Sequence, residues 1–277
     1  MMNNFVRIVG LGTSGAKVVN DVCKLCEQKS LMNVDFHTID VGADQLDFEN
    51  CCCPSFKAMT NNKLMIIVCG LGGLYPYNKL LQLSRSAKAA GWRVGLIMSS
   101  PFVFEGSERK QRAELLKKTI CDAVDARDFY TVLDCNQVLK GELSKECFNT
   151  IYLQVDSLMK NCVLSLLWLS NEDGVISVDY DEFCKGIGPN ACLEYKGVNL
   201  SNAISLEKIN IPKTKIYMVV VSHNCDYTIQ EFCDALEGIQ HAVEKNTPKE
   251  ELCFMCSAMQ LPGTWSPYAH VWYVNAS

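Results

Sequence analysis

One acidic and one basic side chain follow an apolar run in the first half of the chain. The run Val94–Met98 is predicted to be a buried strand, and the segment PFVFEGSER follows it at Pro101–Arg109. The carboxyl ends of strands are where α/β proteins bind their ligands. There the carboxylate of Glu105 can hold sugar hydroxyl groups, and the guanidinium of Arg109 can hold a phosphate. The segment therefore predicts a site for a ligand that carries both groups.

A glycine-rich turn, GLGTSG, is predicted between the first strand and the first helix. Its glycines are Gly10, Gly12 and Gly15, and glycine at such a turn lets backbone amides approach a phosphate at the helix N-terminus. The spacing is also the G-x-G-x-x-G fingerprint of dinucleotide sites, and Asp40 ends the next predicted strand, where such sites have their ribose-binding acid. The turn by itself leaves open an NAD-type Rossmann site, another phosphate site, or a tight turn without a ligand.

A second glycine cluster comprises Gly70, Gly72 and Gly73, at the end of the predicted strand Leu64–Cys69. A plain dinucleotide-binding domain does not need glycines there, so the cluster favours a second loop around phosphates. The segment LYPY follows directly at Leu74–Tyr77. Its tyrosine rings are too bulky to surround a triphosphate as closely as glycine does, and its proline lacks an amide donor. We therefore expect altered phosphate binding.

Two side chains suited to binding a base lie one turn apart on a long predicted helix, Lys145–Ser170. They are Tyr152 and Asp156, and their spacing of four residues places them on one face of the helix. Asp156 can accept hydrogen bonds from two N–H groups of a guanine edge, which adenine does not offer in the same way, and Tyr152 can stack on the base. The alternative is that both are ordinary residues at the edge of the helix's buried stripe.

Acidic residues follow the long helix in the segment GVISVDYDE, at Gly174–Glu182. Asp179 and Glu182 can orient a water for attack on a γ-phosphate, or they can be ordinary acids at a helix N-terminus. The helix beyond Asp156 is roughly 20 Å long, so one molecule can bring Asp156 and Asp179 to one nucleotide only if the following loop folds back. If both act, Asp179 serves the nucleotide of a neighbouring molecule, which is the geometry of a head-to-tail filament.

These segments resemble those of the FtsZ/tubulin family of GTPases, in the same order and with the same spacing. PFVFEGSER is similar to the family's nucleotide-contacting segment, and Gly174–Glu182 resembles its synergy loop. The sequence departs from the family at Leu74–Tyr77, where the family continues with Gly, Thr and Gly, and at Ser177, where the family has Asn. The resemblance extends over Phe5–Asn20, Cys69–Gly73, Ala87–Arg109, Thr131–Lys140, Tyr152–Glu182 and Lys215–Val274.

The resemblance implies a role for each candidate residue. Glu105 and Arg109 hold ribose and phosphate, while Asp179 and Glu182 act in trans on a neighbour's nucleotide, with Glu182 in place of the family's second Asp. Asn20, Tyr152 and Asp156 read guanine, and Asn136 lies beside the nucleotide. The phosphates are held by the glycines Gly10, Gly12, Gly15, Gly70, Gly72 and Gly73.

The resemblance further implies a cytoskeletal protein of the cell-division type that binds GTP or GDP, with Mg²⁺ as a candidate ion. Its expected partner is itself or an FtsZ-like homologue, joined head-to-tail. Because Leu74–Tyr77 and Ser177 depart from the family, GTP hydrolysis is expected to be slow or lost. A second hypothesis is a non-catalytic structural partner or regulator that binds GDP or no nucleotide. A third is an NAD-dependent enzyme that uses Gly10–Gly15 and Asp40, which leaves Glu105, Arg109, Tyr152 and Asp156 without a role.

The alternation of apolar strands with helical patterns predicts an α/β fold, with a Rossmann-like parallel sheet, a long central helix and a smaller α+β C-terminal domain. The predicted domains are 1–170 for nucleotide binding, 171–207 for the synergy-loop connection and 208–277 for the C-terminal domain. Further predicted strands are Phe5–Val9, Val34–Ile39, Phe129–Leu133, Ile216–Val221, Leu252–Met259 and His270–Val274, and further predicted helices are Ala16–Glu27, Asn78–Ala90, Arg112–Val124 and Thr228–Glu244.

Charge and composition disfavour several partners. The net charge is −5 with no long Lys/Arg run, which argues against nucleic acid, and no apolar run approaches the roughly 18–20 residues of a membrane span. The start of the chain does not read as a signal peptide, so we expect a cytoplasmic protein. Among the 16 cysteines, Cys23-x-x-Cys26 and Cys253-x-x-Cys256 have zinc-ligand spacing. They lie in a predicted helix and a predicted strand, which favours buried thiols over structural zinc.

Overall fold

The computed structural model divides the chain into two compact units, Met1–Val163 and Leu164–Ser277. It describes residues 5–29, 33–39, 45–52, 63–73, 76–139, 147–169, 178, 180–201, 210–224, 226–248, 252–260 and 266–275. The domain bounds predicted from the sequence stay predictions. Within the described residues, no helix is both long enough and apolar enough to cross a membrane.

The first unit is built on a parallel sheet whose central strands are buried on both faces. Its described strands, in chain order, are β1 (Phe5–Leu11), β2 (Val34–Ile39), β3 (Lys63–Gly70), β4 (Arg93–Ser100) and β5 (Phe129–Asp134), and they lie side by side in the order β2-β1-β3-β4-β5. Six consecutive residues are buried in both β3 and β4, which is the pattern of a parallel strand covered by helices on each side. The predicted strands of this unit are therefore confirmed, and most extend a residue or two further.

Helices connect these strands, as the predicted alternation requires. They are α1 (Gly12–Lys29), α2 (Gln45–Cys52), α3 (Pro76–Ala89) and α4 (Ser107–Asp122). The long helix α5 (Phe148–Leu169) follows β5 and continues past the end of the first unit at Val163. A short 3-10 turn, Val103–Glu105, lies between β4 and α4. Because α4 begins five residues before its predicted start, Arg109 lies in the first turn of a helix.

The predicted turn at Gly10–Gly15 is wrong in its bounds. Gly10 and Leu11 continue β1, and α1 begins at Gly12 without an intervening loop. The chain can change direction so abruptly because Gly12 has a φ of +71°, in the left-handed region that a side chain disfavours. The helix N-terminus therefore follows the carboxyl end of β1 directly.

The second unit is an α+β structure around a four-stranded sheet. Its elements are α6 (Tyr180–Ile187), β6 (Ala191–Cys192), β7 (Glu194–Asn199), β8 (Thr214–His223), α7 (Ile229–Glu244), β9 (Cys253–Gln260) and β10 (Tyr268–Asn275), with the sheet in the order β7-β10-β8-β9. Strand β10 runs antiparallel to β7 and β8, and β8 runs parallel to β9. Thr228 caps α7 in a reciprocal capping box with Glu231, so this predicted helix is confirmed.

A buried histidine makes the stability of the second unit depend on pH. Burial lowers the pKa of His270 to about 3, while its ring shares hydrogen bonds with the Tyr195 hydroxyl at 2.8 Å and the Ser222 hydroxyl at 3.3 Å. The pKa of His270 is lower in the folded protein than in the unfolded chain, where it is near 6.5. The neutral, buried ring therefore stabilises the fold fully above pH 6.5, and this stabilisation is lost as the pH falls from there towards 3. In that pH window, we expect protonation of His270 to contribute at most about 1.4 kcal/mol per pH unit to the change of the unfolding free energy with pH.

The replacement His270→Gln should remove that part of the slope, because glutamine keeps hydrogen-bonding capacity and does not titrate. The measurement is the free energy of urea unfolding between pH 4 and pH 7, followed by tryptophan fluorescence. His241→Gln, an exposed position on α7, is the matched control and should keep the wild-type slope. Equal slopes for wild type and His270→Gln would contradict this account of the buried ring.

Candidate functional site

A cleft of about 600 Å³ lies at the carboxyl ends of the first unit's strands. The start of α1, the turn after β3, the segment after β4 and the middle of α5 all contribute to its lining. This is where a doubly wound sheet binds its ligands. Of the twelve predicted nucleotide-binding residues, eight line the cleft: Gly12, Gly70, Gly72, Gly73, Glu105, Arg109, Tyr152 and Asp156.

Part of the cleft lining is suited to an anion. Gly12, Thr13 and Ser14 form the first turn of α1 and line the cleft. That turn contains no acidic residue, so the positive end of an 18-residue helix faces the cleft with no carboxylate of its own to neutralise it. The glycines after β3 lie beside it. The arrangement fits phosphate groups, which accept hydrogen bonds from backbone amides and hydroxyls.

The glycines Gly10 and Gly15 have a packing role in this structure. They do not line the cleft. A Cβ on Gly10 would lie about 2.5 Å from the carbonyl oxygen of Gly15, and a Cβ on Gly15 would overlap the carbonyl oxygen of Val68 in β3. These two glycines therefore let α1 lie directly against the sheet, which places the helix N-terminus at the cleft. Direct contact of either with phosphate stays a prediction.

Helix α5 adds an aromatic ring and a carboxylate to the lining of the cleft. Tyr152 packs edge-on against Phe102, with 5.3 Å between ring centroids, and keeps 41% of its surface exposed. Burial, together with the nearby Glu105 carboxylate, raises the pKa of the Tyr152 hydroxyl. Asp156, one turn further along α5, forms an ion pair with Lys17 of α1. Only 15% of the Asp156 side chain is exposed, so the carboxylate needs such a partner or a ligand.

Glu105 and Arg109 form an ion pair across the start of α4. The Glu105 carboxylate also accepts a hydrogen bond from the backbone N–H of Phe102 at 3.0 Å. Gly106 separates the 3-10 turn from α4 with a φ of +97°, a conformation that favours glycine. The segment after β4 therefore holds both charged groups at the cleft, as the sequence predicted, but it holds them against each other.

The two predicted asparagines do not line this cleft. Asn20 is exposed on α1. Asn136 lines a neighbouring cleft of about 310 Å³, where its side-chain oxygen accepts a hydrogen bond from the backbone N–H of Val103 at 2.9 Å and its amide donates to Asp134. This hydrogen bond to Asn136 thus helps to fix the position of the segment that carries Glu105. A contact of either asparagine with a nucleotide stays a prediction.

Several predicted residues lie outside the described part of the chain. They include Asp40, Ser177 and the proposed catalytic Asp179. The same holds for Leu74 and Tyr75, whereas α3 begins at Pro76, where proline's missing N–H costs no helical hydrogen bond. Glu182 is exposed on α6 in the second unit. The predicted roles of these residues stay predictions.

The sequence interpretation missed the cleft residues Thr13, Ser14, Lys17, Ser99 and Cys135. The sequence did contain a signal that could have identified Lys17. It lies about one turn after Gly12 on the helix that starts at the cleft, so its side chain can reach the site. Cys135 offers no nucleophile, since burial raises the pKa of its thiol to about 12. Within the described residues, no group of three or more His, Cys, Asp or Glu side chains is placed to hold a metal ion.

Comparisons with known proteins agree with this fold. The sequence matches no known protein-family profile. It is 25% identical over 201 residues to the cell division protein FtsZ of Helicobacter pylori, covering 66% of this chain and 50% of that protein, and 23% identical over 193 residues to FtsZ of Haemophilus influenzae, covering 64% and 45%. The chain thus spans about half the length of the curated relatives it matches.

Solved structures share the fold over nearly the whole chain. An empty FtsZ dimer from M. jannaschii superposes with a TM-score of 0.73 at 15% identity, covering 99% of this chain and 88% of that one. The GDP-bound CetZ1 monomer from Haloferax volcanii gives 0.66 at 13% identity, covering 99% and 94%. A helical model of the TubZ-Bt two-stranded filament gives 0.71 at 12% identity, covering 98% and 84%. Structural similarity at these identities establishes the fold alone.

The fold and the cleft define an α/β protein with a cleft at the carboxyl ends of a parallel sheet, where such folds bind ligands. In sequence the chain is similar to FtsZ, and its fold is that of the FtsZ/tubulin family.

Proposed function

We propose that this chain binds a guanine nucleotide in the 600 Å³ cleft and belongs to a cytoskeletal assembly built from head-to-tail contacts. One observation carries the proposal. The carboxylate of Asp156 and the ring of Tyr152 line the same cleft as the N-terminus of α1. A base reader and an anion site therefore lie within one cavity, which is the combination that a nucleotide requires.

The cleft supports a guanine nucleotide better than NAD. A carboxylate accepts hydrogen bonds and donates none when ionised, so Asp156 suits the N–H groups of guanine and repels the N1 lone pair of adenine. The NAD hypothesis depends on Asp40, which lies outside the described residues, and it gives no role to Asp156 or Tyr152. Mg²⁺ would bind beside the phosphates with oxygen ligands supplied partly by the nucleotide itself.

The length of α5 supports head-to-tail assembly. From Asp156 to its end at Leu169 the helix extends roughly 20 Å, and the acidic segment with Asp179 and Glu182 comes after it. The proposal is that these acids serve the nucleotide of the next molecule, where they would orient the attacking water. Supporting this, the similar structures include a TubZ filament and an FtsZ dimer. Bound GTP would supply the transferable γ-phosphate.

Hydrolysis is proposed to be slow or absent because of the segment after the second glycine cluster. Only two residues, Leu74 and Tyr75, separate Gly73 from the start of α3 at Pro76. The combined change Leu74→Gly, Tyr75→Thr and Pro76→Gly restores small residues and one amide donor. We expect it to raise phosphate release from GTP at least tenfold, measured as inorganic phosphate at protein concentrations that pellet as polymer.

Asp179→Ala in the same background is the control, since it should abolish the regained turnover if the acid acts. Turnover that stays at the wild-type level in the triple variant would show that this segment is not the cause of slow hydrolysis.

The alternative function, a non-catalytic partner or regulator, is favoured by the internal pairing of Asp156 with Lys17 and of Glu105 with Arg109. It predicts no pelletable polymer with GTP alone and co-sedimentation only with an FtsZ-like homologue.

A further inference from the structure

Arg112 of α4 contacts the second glycine cluster without lining the cleft. Its Nη2 donates a hydrogen bond to the carbonyl oxygen of Gly72 at 3.5 Å, and its Nη1 lies 3.7 Å from Oε2 of Glu108, one turn earlier on the helix. Gly72 and Gly73 line the cleft, whereas Arg112 does not. A cation outside the cleft is therefore directed at the backbone of the turn that faces the ligand.

The environment of Arg112 differs from that of an ordinary surface arginine. Its Nε is buried, and no described residue accepts a hydrogen bond from it, which is uncommon in a folded protein. The Glu108 side chain is 89% exposed, so water screens its ion pair with Arg112 and that pair contributes little. The carbonyl of Gly72 is then the acceptor that compensates best for the partial burial of the guanidinium.

This contact sets the orientation of the peptide between Gly72 and Gly73. None of the described peptide bonds is cis, and in a trans peptide the carbonyl and the N–H point in opposite directions. Because the carbonyl of Gly72 is directed at Arg112, the N–H of Gly73 points to the other side of the turn. The flipped peptide would exchange the two groups, and its carbonyl oxygen would repel a phosphate.

The other contacts of the turn fix its position but not the rotation of this peptide. The N–H of Leu71 donates to the carbonyl of Ser99 at 2.9 Å, and a Cβ added to Gly72 would lie 3.1 Å from the Cβ of Pro101. Both contacts hold the turn against β4 and the segment that follows it. Glycine leaves the peptide after Gly72 free to rotate, so the contact with Arg112 is needed to select one orientation.

We propose that Arg112 is a positioning residue, which holds the Gly72–Gly73 peptide so that the N–H of Gly73 donates to a phosphate oxygen in the cleft. This inference rests on the proposed function, because it assumes that phosphates lie beside the second glycine cluster. The guanidinium also polarises the carbonyl of Gly72, which strengthens the N–H of the same peptide as a donor. Arg112 does this without touching the ligand.

The test is the affinity of wild-type protein and Arg112→Met for GDP, measured by calorimetry at about 0.1 M and about 0.5 M KCl. We expect Arg112→Met to bind GDP about tenfold more weakly, because a hydrogen bond to a charged group is lost. The ratio of the two affinities should be the same at both salt concentrations, since the effect passes through the peptide. A long-range effect of the removed charge would instead be screened at the higher concentration.

Arg112→Lys keeps a cation within reach of a single carbonyl oxygen and should bind GDP within about threefold of wild type. Lys118→Met is the matched control for the loss of one cation, as Lys118 is exposed on the same helix, and it should bind GDP within about twofold of wild type. Circular dichroism and the urea midpoint establish that each variant folds, and Arg112→Gln replaces Arg112→Met if the latter does not.

Three results would overturn the inference while leaving the proposed function in place. They are a GDP affinity of Arg112→Met within about twofold of wild type, a loss that disappears at the higher salt concentration, and an Arg112→Lys variant as weak as Arg112→Met. Failure of the folded wild-type protein to bind GDP at millimolar concentration would overturn both the inference and the proposed function.

Discussion

Replacing Asp156 with alanine is expected to weaken GDP binding by roughly a hundredfold. The change removes a charge-assisted hydrogen bond to the base, and a contact of that kind contributes about 1.5–3 kcal/mol. It also breaks the ion pair of Asp156 with Lys17, so the cleft loses a carboxylate and gains net positive charge beside the N–H donors that a guanine base would present. The effect should therefore exceed the loss of one ordinary contact. The measurement is calorimetric titration of GDP into wild-type and Asp156→Ala protein.

Asp234→Ala is the matched control for the loss of one negative charge. Asp234 is exposed on α7 in the second unit, so its removal should leave GDP affinity within about twofold of wild type. Unfolding midpoints of both variants separate a binding defect from a folding defect. Equal GDP affinity in wild type and Asp156→Ala would show that this carboxylate does not read the base.

Replacing Gly15 with alanine is expected to destabilise the protein by at least about 3 kcal/mol or to prevent folding. The new Cβ would overlap the backbone carbonyl of Val68, and a backbone atom in a buried strand cannot move aside as a flexible side chain can. Helix α1 would have to shift away from β3, together with the helix N-terminus at the cleft. The measurement is the midpoint of urea unfolding and the yield of folded protein.

Gly12→Ala provides the contrast within the same motif. A Cβ on Gly12 meets nothing within 4 Å, so its only cost is the left-handed backbone conformation, about 1–2 kcal/mol. We expect this variant to fold and to be clearly more stable than Gly15→Ala. The reverse order, or equal stability of the two variants, would contradict the packing role assigned to Gly15.

The parallel sheet could be predicted from the sequence because its strands are short apolar runs between helical patterns. Val94–Met98 and Phe129–Leu133, for example, lie inside β4 and β5. The strand β7 was missed because only Tyr195 and Val198 are buried in its six residues, EYKGVN. Such a weak pattern becomes a strand through its pairing with β10, and pairing partners are not visible in a local pattern.

The candidate site was predictable to the extent that its residues follow strands. Glu105 and Arg109 follow β4 directly, and the i, i+4 spacing of Tyr152 and Asp156 places both on one face of α5, where both line the cleft. Lys17 was missed because a lysine on a helix ordinarily faces solvent, and only the approach of α1 and α5 gives it a carboxylate partner.

The sequence also did not show that Gly10 and Asn136 lie outside the lining of this cleft, for a related reason. Gly10 belongs to the glycine motif, but it lies within β1 and packs against Gly15 rather than facing the cleft. Asn136 follows β5, but its side chain is engaged by the backbone of Val103. Spacing along the chain shows which strand end a residue follows, while the direction of its side chain depends on neighbours that are distant in sequence.

The central claim is that the cleft binds a guanine nucleotide. The most direct measurement is to denature the purified protein, identify any released nucleotide by chromatography, and then titrate GTP, GDP and NAD into the nucleotide-free protein. The account predicts binding of GTP and GDP with micromolar or tighter dissociation constants, and no comparable binding of NAD. The account would be contradicted if the folded protein did not bind GTP or GDP at millimolar concentration, or if it bound NAD more tightly than either.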